Sequence, residues 1–226
     1  MPQMDGMILI DKPANMTSFG VVARVRRKLS KKAGKKVKVG HTGTLDPFAT
    51  GLMILLVGKA CKQASEFSKL DKTYEATITL GKTSSTGDPE GEISPASRVI
   101  PTEEEVKGTL KHFIGAIKQT PPAFSAIKID GQRAYKLARD GKEVDMPQRE
   151  VTIHELELVK YAYPELKIRT HVSSGTYIRT LAEDIGKALK TGAYCQQLRR
   201  TTVGEWDIKQ AVTLGDKEVT SIKPLQ

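Results

Sequence analysis

The chain has 226 residues, more than one compact core needs and fewer than two full domains need. Basic residues outnumber acidic residues by 36 to 26, so the net charge is +10 and the pI is near 9.5. This excess favours a polyanionic partner such as RNA or DNA, because each cation placed on a phosphate releases condensed counterions, although many basic proteins bind no nucleic acid.

Cysteine and histidine are too few and too scattered for the common stabilising sites. The two cysteines, Cys61 and Cys195, lie far apart, which excludes a disulfide framework, and the four histidines lack the close spacing of metal ligands. The longest apolar run, residues 52–57, is too short to span a bilayer, and the N-terminal segment lacks the pattern of a signal peptide. We therefore expect a cytoplasmic protein without a metal site and without a membrane contact.

The first predicted elements are a strand, a helix and a lysine-rich run. Residues 7–10 are apolar and end at Asp-Lys-Pro, which is typical of a strand that enters a turn. Thr17 or Ser18 can then cap a helix with Val22 among its inward residues. The lysine-rich residues 28–38 follow, and they are either a solvated loop or a group of cations that faces phosphates.

The central part of the chain contains predicted strands and one well-marked helix. Thr102 and Glu105 have the spacing of a capping box at the start of that helix. Apolar positions that include Ile114 and Ile117 extend the predicted helix until two prolines prevent its continuation. Residues 73–80 alternate in polarity and therefore predict a half-buried strand. The same region contains a predicted strand at 53–57 and a predicted helix at 59–70.

Strands outnumber helices in the remaining sequence, and connections of hairpin type recur. The predicted elements are paired strands at 151–160 and 166–172, a helix at 176–189 and a strand at 196–203. No internal repeat and no long linker is present. The expected fold class is α+β, with a mixed, mainly antiparallel central sheet flanked by helices.

The densest motif of the chain is GHTGTLDPFATG at residues 40–51. Pro47 disfavours helical geometry at Asp46, and the glycines permit a positive φ or the close approach of another segment. Such a loop can present one carboxylate between neighbouring hydroxyl groups. The alternative is a plain turn, since Asp-Pro and Gly-Thr are common in loops. The motif contains no phosphate-binding pattern of the P-loop type.

GHTGTLDPFATGLM closely resembles the signature of TruB-type tRNA pseudouridine synthases, in which the aspartate is the catalytic residue. Other segments resemble further motifs of that family in the same order, from about residue 6 to residue 214. They are DGMILIDKPANMTSFGVV, KTYEATITLGKTSSTGDPEGEI, QTPPAFSAIKIDGQRAYKLARDG, VSSGTYIRTLAEDIG and LRRTTVG. The resemblance implies the pseudouridine synthase fold and the isomerisation of uridine at position 55, in the T loop of tRNA.

The resemblance also implies three catalytic residues. Asp46 would be the nucleophile, or would activate the sugar, and it must be ionised for this task. Arg179 would form an ion pair with it, and the loss of such a partner from a buried pair costs on the order of 3–5 kcal/mol. Tyr74 would lie against the uracil ring and help to remove the proton at C5. From the residues alone, Arg179 could be a helix-surface arginine and Tyr74 a core tyrosine.

Further residues correspond to RNA-contacting positions of the family. The target uridine must flip out of its stack, and His41 corresponds to the histidine that fills the vacated place. Tyr177 and Leu198 correspond to residues that line the pocket. Lys12 and Arg199 are expected either to contact phosphates or to support the motifs. From the residues alone, the histidine could simply satisfy its hydrogen bonds, and the pocket residues could belong to the core.

The resemblance gives expectations for domains and partners. We expect a single catalytic domain over residues 1–226, a thumb-like insertion at 122–150 that clamps the RNA, and no C-terminal PUA domain. The expected partner is the T stem-loop of tRNA, bound by a monomer that requires no protein partner. No cofactor is implied, because the isomerisation involves no redox change. The alternatives are a tRNA-folding chaperone and a catalytically silent RNA-binding module.

Overall fold

The computed structural model describes residues 5–125, 127–129, 131–141, 145–215 and 217–225. The strands are β1 (Gly6–Lys12), β2 (Val39–His41), β3 (Thr50–Val57), β4 (Lys72–Leu80), β5 (Lys82–Ser84), β6 (Ile93–Pro95), β7 (Gly115–Gln119), β8 (Lys128–Ile129), β9 (Gln132–Arg133), β10 (Arg149–Ala162), β11 (Glu165–Val172), β12 (Ala193–Val203), β13 (Trp206–Asp207) and β14 (Val212–Thr213). The α-helices are α1 (Ser18–Ala33), α2 (Ala64–Ser68), α3 (Glu103–Lys111), α4 (Ala134–Arg139) and α5 (Ile178–Ala188). Short 3-10 helices lie at Gly58–Gln63, Ile208–Gln210 and Lys217–Thr220.

The chain divides into two compact units, of which the first comprises residues 1–74 and 199–226. Its strands follow the order β14-β1-β3-β12, while β2 also pairs with β3 and β13 with β12. Strands β1 and β3 are antiparallel along their whole length, whereas β3 and β12 are parallel. The core of this unit is a cluster of buried residues that consists of Met7, Leu9, Leu52, Ile54, Leu56, Ala60, Phe67 and Val203.

Helix α1 packs its apolar face into the first unit, as its sequence predicts. Thr17 is the N-cap, because its Oγ1 accepts a hydrogen bond from the N–H of Gly20 at 3.0 Å. Gly34 ends the helix with a left-handed φ of 66°. The buried residues of the helix are Ser18, Val21, Val22, Val25 and Leu29.

The second unit comprises residues 75–198. Its strands follow the order β4-β11-β10-β7, and β10 pairs antiparallel with both β11 and β7. Helix α3 starts with the predicted capping box: the Thr102 N–H donates to Glu105 Oε2 at 2.7 Å, and the Glu105 N–H donates to Thr102 Oγ1 at 3.2 Å. The prediction of an α+β fold with a mainly antiparallel sheet is confirmed.

Three predicted elements are wrong in detail. Helix α3 ends at Lys111 and not near Ile117. Ile114 is 48% exposed. The chain then turns into β7 at Gly115, which has a φ of 106°. Residues 58–68 form a 3-10 helix and the short α2 instead of one helix. Strand β4 is buried on both faces at Ala76 and Thr77 and is not simply half-buried.

Of the predicted insertion at 122–150, Ala126, Asp130 and residues 142–144 lie outside the described residues. Its described part contains the β8–β9 hairpin and α4. The clamping role stays a prediction. No helix within the described ranges is long and apolar enough to cross a membrane.

Candidate active site

The signature motif forms a loop between β2 and β3, and a serine of α1 holds its backbone. The Oγ of Ser18 donates a hydrogen bond to the carbonyl of Leu45 and accepts one from the Leu45 N–H, both at 2.8 Å. Asp46 follows and is half-buried, and its carbonyl accepts from the Ala49 N–H at 3.2 Å. Because Leu45 and Ala49 are buried on either side, the Asp46 carboxylate stands on a backbone that is held at both ends.

Lys12 supports the same loop through hydrogen bonds from its side chain to backbone carbonyls. Its side chain is fully buried, and its ammonium donates to the carbonyls of Pro13 at 2.9 Å, Met16 at 2.7 Å and Pro47 at 3.1 Å. A buried ammonium is stable only when its donors meet acceptors, and these carbonyls supply three. The geometry therefore matches the supporting role that was one alternative for Lys12, because an ammonium buried in this way is not available to a phosphate.

Arg200 is a second buried cation at the loop, and it was not singled out from the sequence. Its Nε donates to the carbonyl of Leu52 at 2.8 Å, and its Nη2 donates to the carbonyl of Gly43 at 3.2 Å. Gly51 makes this approach possible, since a Cβ there would lie 2.2 Å from the Arg200 carbonyl oxygen. Gly51 also has a φ of 107°, which a residue with a side chain rarely adopts.

Arg199 lies on the opposite face of β12 from Arg200, because successive strand residues alternate. Its guanidinium forms a two-point ion pair with Asp11, at 3.1 Å from Nη1 to Oδ1 and 2.7 Å from Nη2 to Oδ2. The side chain keeps 40% of its surface exposed. Its contact with RNA stays a prediction.

His41 and Tyr74 also belong to the first unit. His41 ends β2 opposite Leu55 and is half-buried. Tyr74 is 8% exposed within β4. This burial agrees with the core tyrosine that was the alternative for Tyr74, and the role of each residue toward a base stays a prediction.

Arg179 lies in the first turn of α5 in the second unit and is buried. Its Nη1 donates to the carbonyl of Thr86 at 2.8 Å and pairs with Oδ2 of Asp88 at 3.2 Å. Its Nη2 donates to the carbonyl of Phe124 at 2.8 Å. Arg179 is therefore a buried arginine with a buried acidic partner, which excludes the alternative of a helix-surface residue.

Asp88 is a further residue that the sequence did not single out. Its Oδ1 accepts from Thr86 Oγ1 at 2.6 Å and from the Glu90 N–H at 3.0 Å, so both carboxylate oxygens are used. The expected ion pair of Arg179 with Asp46 stays a prediction. Within the second unit, the carboxylate that pairs with Arg179 is that of Asp88.

Glu183 lies one turn further along α5. Burial raises the pKa of Glu183 above its ordinary value, and the charge of Asp184 acts in the same direction; the charges of Lys187 and Arg179 oppose the shift. Gly87 provides the necessary space, because a Cβ there would lie 2.7 Å from Glu183 Oε1. Burial therefore disfavours the charged form of Glu183, whereas the charge of Arg179 favours it.

Tyr177 and Leu198 are the predicted pocket residues of the second unit. The Tyr177 N–H donates to Oε1 of Gln119 at 3.0 Å, and its carbonyl accepts from Nε2 of the same residue at 3.2 Å. The Arg149 guanidinium stacks over the Tyr177 ring at 5.0 Å. Leu198 is buried in β12. Their contacts with a base stay predictions.

Ser18, Arg200 and Asp88 are the residues that sequence reasoning missed. Each belongs to a segment that resembles a family motif, but only the fold shows which side chain of the segment turns inward. No group of three or more His, Cys, Asp or Glu side chains in the described part of the chain could hold a metal ion.

Two family models match the chain. The TruB family pseudouridylate synthase (N terminal domain) model matches residues 26–178, and the tRNA pseudouridylate synthase B C-terminal domain model matches residues 179–220. Among curated relatives, the tRNA pseudouridine synthase B of Opitutus terrae is 43% identical and covers 99% of this chain and 91% of its own length. The protein of the same name from Parabacteroides distasonis is 50% identical and covers 88% and 86%.

Solved structures agree with these relatives. An archaeal box H/ACA sRNP Nop10-Cbf5 complex contains a chain that is 27% identical with a TM-score of 0.67, over 96% of this chain and 53% of that chain. A Cbf5-Nop10-Gar1 complex gives 27% identity and a TM-score of 0.71, over 97% and 60%. This chain thus spans little more than half the length of those solved proteins. The prediction of an isomerase is confirmed, and the chain belongs to the TruB family of pseudouridylate synthases.

Proposed function

We propose that the chain converts a uridine in the T loop of tRNA, at position 55, into pseudouridine, and that Asp46 is the nucleophile. Relatives at 43% and 50% identity are named tRNA pseudouridine synthase B, and these names support a tRNA substrate. The observation that carries the role of Asp46 is the fixed backbone around it. One short loop that presents a single carboxylate receives buried hydrogen bonds from the side chains of Ser18, Lys12 and Arg200.

The reaction is an isomerisation in which the bond between N1 and C1′ breaks and a bond between C5 and C1′ forms. The proton leaves C5 and the ring gains one at N1, so no oxidant, reductant or cofactor is required. In the proposal, the ionised Asp46 acts at the sugar while the uracil ring turns over. A carboxylate can do this only if it is held ionised close to an apolar base.

Arg179 is the proposed cation that keeps Asp46 ionised. Its support is a buried guanidinium with two carbonyl acceptors and the Asp88 carboxylate, an arrangement that fixes the position of the charge before RNA binds. Tyr74 is the proposed contact to the uracil ring and assists the loss of the C5 proton.

The remaining predicted residues serve the flipped-out uridine. Flipping costs a few kcal/mol, and His41 in the vacated stack offsets part of this cost. Tyr177 and Leu198 line the base, and Arg199 meets the RNA with its exposed fraction. Lys12 acts through the loop that it supports. In this proposal the enzyme works as a monomer, in the cytoplasm, without a protein partner.

The test is pseudouridine formation in an unmodified tRNA transcript, located by nucleotide position. The wild type should form pseudouridine at the T-loop position. Asp46→Ala and the nearly isosteric Asp46→Asn should form none and should bind the transcript as tightly as the wild type does. Glu104→Gln, which removes an exposed carboxylate of α3, is the control and should remain fully active.

Two results would contradict the proposal. Tight binding of tRNA by the wild type without any product would favour a silent RNA-binding module. An RNA affinity that falls in proportion to turnover in the Asp46 variants would favour the chaperone alternative, in which binding is the selected function.

A further inference from the structure

The positive charge of this chain is concentrated in one segment. Nine of the 36 basic residues lie between Arg24 and Lys38, and no acidic residue occurs from Lys12 to Leu45. The other 27 basic residues (36 less these nine) nearly balance the 26 acidic residues, so this segment accounts for almost the whole net charge of +10. Such a distribution differs from the mixed signs of an ordinary solvated surface.

The structure gives this segment a defined surface. Arg24, Arg27 and Lys31 follow the spacing i, i+3, i+7 along α1 and are exposed, so they lie on one side of the helix. Lys32 in the last turn, and Lys35 and Lys36 just after the helix, are also exposed. These six residues form the basic face of the protein. In the described part of the chain, the cations that form ion pairs all lie outside the basic face.

The helix that carries most of the basic face starts beside the signature loop. Ser18, the first residue of α1, is the residue that binds Leu45, next to Asp46. The helix has 16 residues and is therefore about 24 Å long at about 1.5 Å per residue. A polyanion that reaches Asp46 with one nucleotide can thus extend along the cations of the same helix.

We propose that the basic face binds the phosphate backbone of the substrate RNA outside the target nucleotide. This inference rests on the proposed function, because it concerns the same RNA. Regularly spaced cations without competing carboxylates match the repeated charge of a phosphate backbone and carry no base specificity. The face therefore contributes affinity and orientation, while the chemistry stays with the signature loop.

A nucleic acid fits this surface better than an anionic membrane does. A helix that binds a membrane surface inserts an apolar face, whereas Val21, Val22, Val25 and Leu29 of α1 are buried in the first unit. The large exposed apolar residue of the helix is Phe19, which is 66% exposed and has the Arg26 guanidinium 5.9 Å from its ring centroid. A ring and a cation at the end nearest the signature loop suit the stacking of a nucleotide.

The test uses the variant Lys31→Gln/Lys32→Gln/Lys35→Gln/Lys36→Gln. The matched control is Lys62→Gln/Lys69→Gln/Lys82→Gln/Lys111→Gln, which removes four exposed lysines elsewhere and lowers the net charge equally. Binding of an unmodified tRNA transcript is measured between about 50 and 200 mM salt, because counterion release gives a slope of about 0.7–0.9 per phosphate contact. Thermal unfolding of both variants is followed in parallel.

The first variant should bind the transcript at least about 10-fold more weakly than the wild type. Its slope of log affinity against log salt concentration should be smaller by about 2–3, as expected for several lost phosphate contacts. Its turnover at saturating RNA should equal that of the wild type, so the loss is confined to KM. The control should keep the affinity and the slope within about twofold, and both variants should unfold within a few degrees of the wild type.

Unchanged binding in the first variant would overturn the inference, as would equal losses in both variants, since net charge alone would then explain them. A membrane partner would be favoured, and the inference overturned, by a third result. In that case the wild type would bind vesicles of phosphatidylcholine and phosphatidylserine, and the first variant would lose this binding but bind tRNA as the wild type does. If the wild type forms no pseudouridine, the proposed function is contradicted. The comparison of RNA affinities between the two variants would still test the basic face, because it does not depend on turnover.

Discussion

Asp88 and Arg179 form a buried ion pair, in which Oδ2 of the carboxylate lies 3.2 Å from Nη1 of the guanidinium. Both side chains are 5% exposed or less, so each depends on the other for compensation of its charge. The same arginine donates to the carbonyls of Thr86 and Phe124, which ties the start of α5 to the loop after β5 and to the segment after β7.

The substitution Asp88→Asn should therefore leave the guanidinium of Arg179 without its carboxylate. We expect a loss of about 3–5 kcal/mol in the free energy of unfolding and a fall in pseudouridine formation. The control is Asp184→Asn, which breaks the exposed pair with Lys187 and should cost less than about 1 kcal/mol. Urea unfolding measures both variants, and equal costs would contradict a special role of Asp88.

The hydrogen bonds between Ser18 and Leu45 can be tested by comparing Ser18→Ala with a substitution of the preceding residue, Thr17. Ser18→Ala leaves the N–H and the carbonyl of the buried Leu45 unsatisfied, at a cost of about 2 kcal/mol, and loosens the loop of Asp46. Thr17→Ala removes only the helix cap and should cost about 1 kcal/mol. Turnover, measured where both variants are folded, should fall for Ser18→Ala alone. A similar fall in both would show that helix stability, and not the loop contact, is responsible.

Two glycines of the signature motif should respond very differently to alanine. Gly51→Ala adds a Cβ 2.2 Å from the Arg200 carbonyl oxygen at a φ of 107°, so we expect a loss of more than about 3 kcal/mol. Gly43→Ala adds a Cβ whose nearest neighbour is Arg200 Nη1 at 3.4 Å, and it should cost less than about 1 kcal/mol. Thermal unfolding distinguishes the two, and equal stabilities would mean that β3 and β12 can separate at low cost.

Lys72 makes stability depend on pH in the alkaline range. Burial, with the charge of Arg200, lowers the pKa of Lys72 to about 8 from 10.5. The unfolded chain keeps this proton up to about pH 10.5, whereas the folded chain releases it above about pH 8. The unfolded state therefore binds more protons in this window, and the free energy of unfolding rises with pH.

Lys72→Met should abolish that contribution. Across pH 8 to 10.5, the free energy of unfolding from urea titrations should rise more in the wild type than in the variant. Lys69→Met, which changes an exposed lysine of the same segment, should keep the wild-type dependence. Parallel curves for the wild type and Lys72→Met would contradict the assignment to Lys72.

Features that depend on near neighbours in the chain could be predicted from the sequence. The capping box of Thr102 and Glu105 is an example, because both of its hydrogen bonds close within one turn. The end of the same helix could not be predicted, since the apolar spacing continues to Ile117. There Gly115 and the pairing of β7 with β10 decide for a strand, and Ile114 remains exposed.

The candidate site shows the same division. Asp46 could be predicted as the nucleophile because its motif is continuous in sequence, and this role stays a prediction. Arg199 and Arg200 are chemically identical neighbours, and only the register of β12 against β3 shows that Arg200 is the buried one. Asp88 lies in a polar loop whose composition predicts exposure to solvent. It is nevertheless buried in an ion pair with Arg179, which lies 91 positions further along the chain.

The parallel pairing of β3 with β12 also has a consequence for synthesis on the ribosome. Arg200 pairs with Gly51 and donates to Gly43, so the backbone of the signature loop is completed by a residue made about 150 positions later. Contacts of such long sequence separation form late in folding. Until β12 has left the ribosome, a nascent chain therefore holds Asp46 on an unfinished loop, and the Asp46 side chain is set in place only after about 150 further residues have been made.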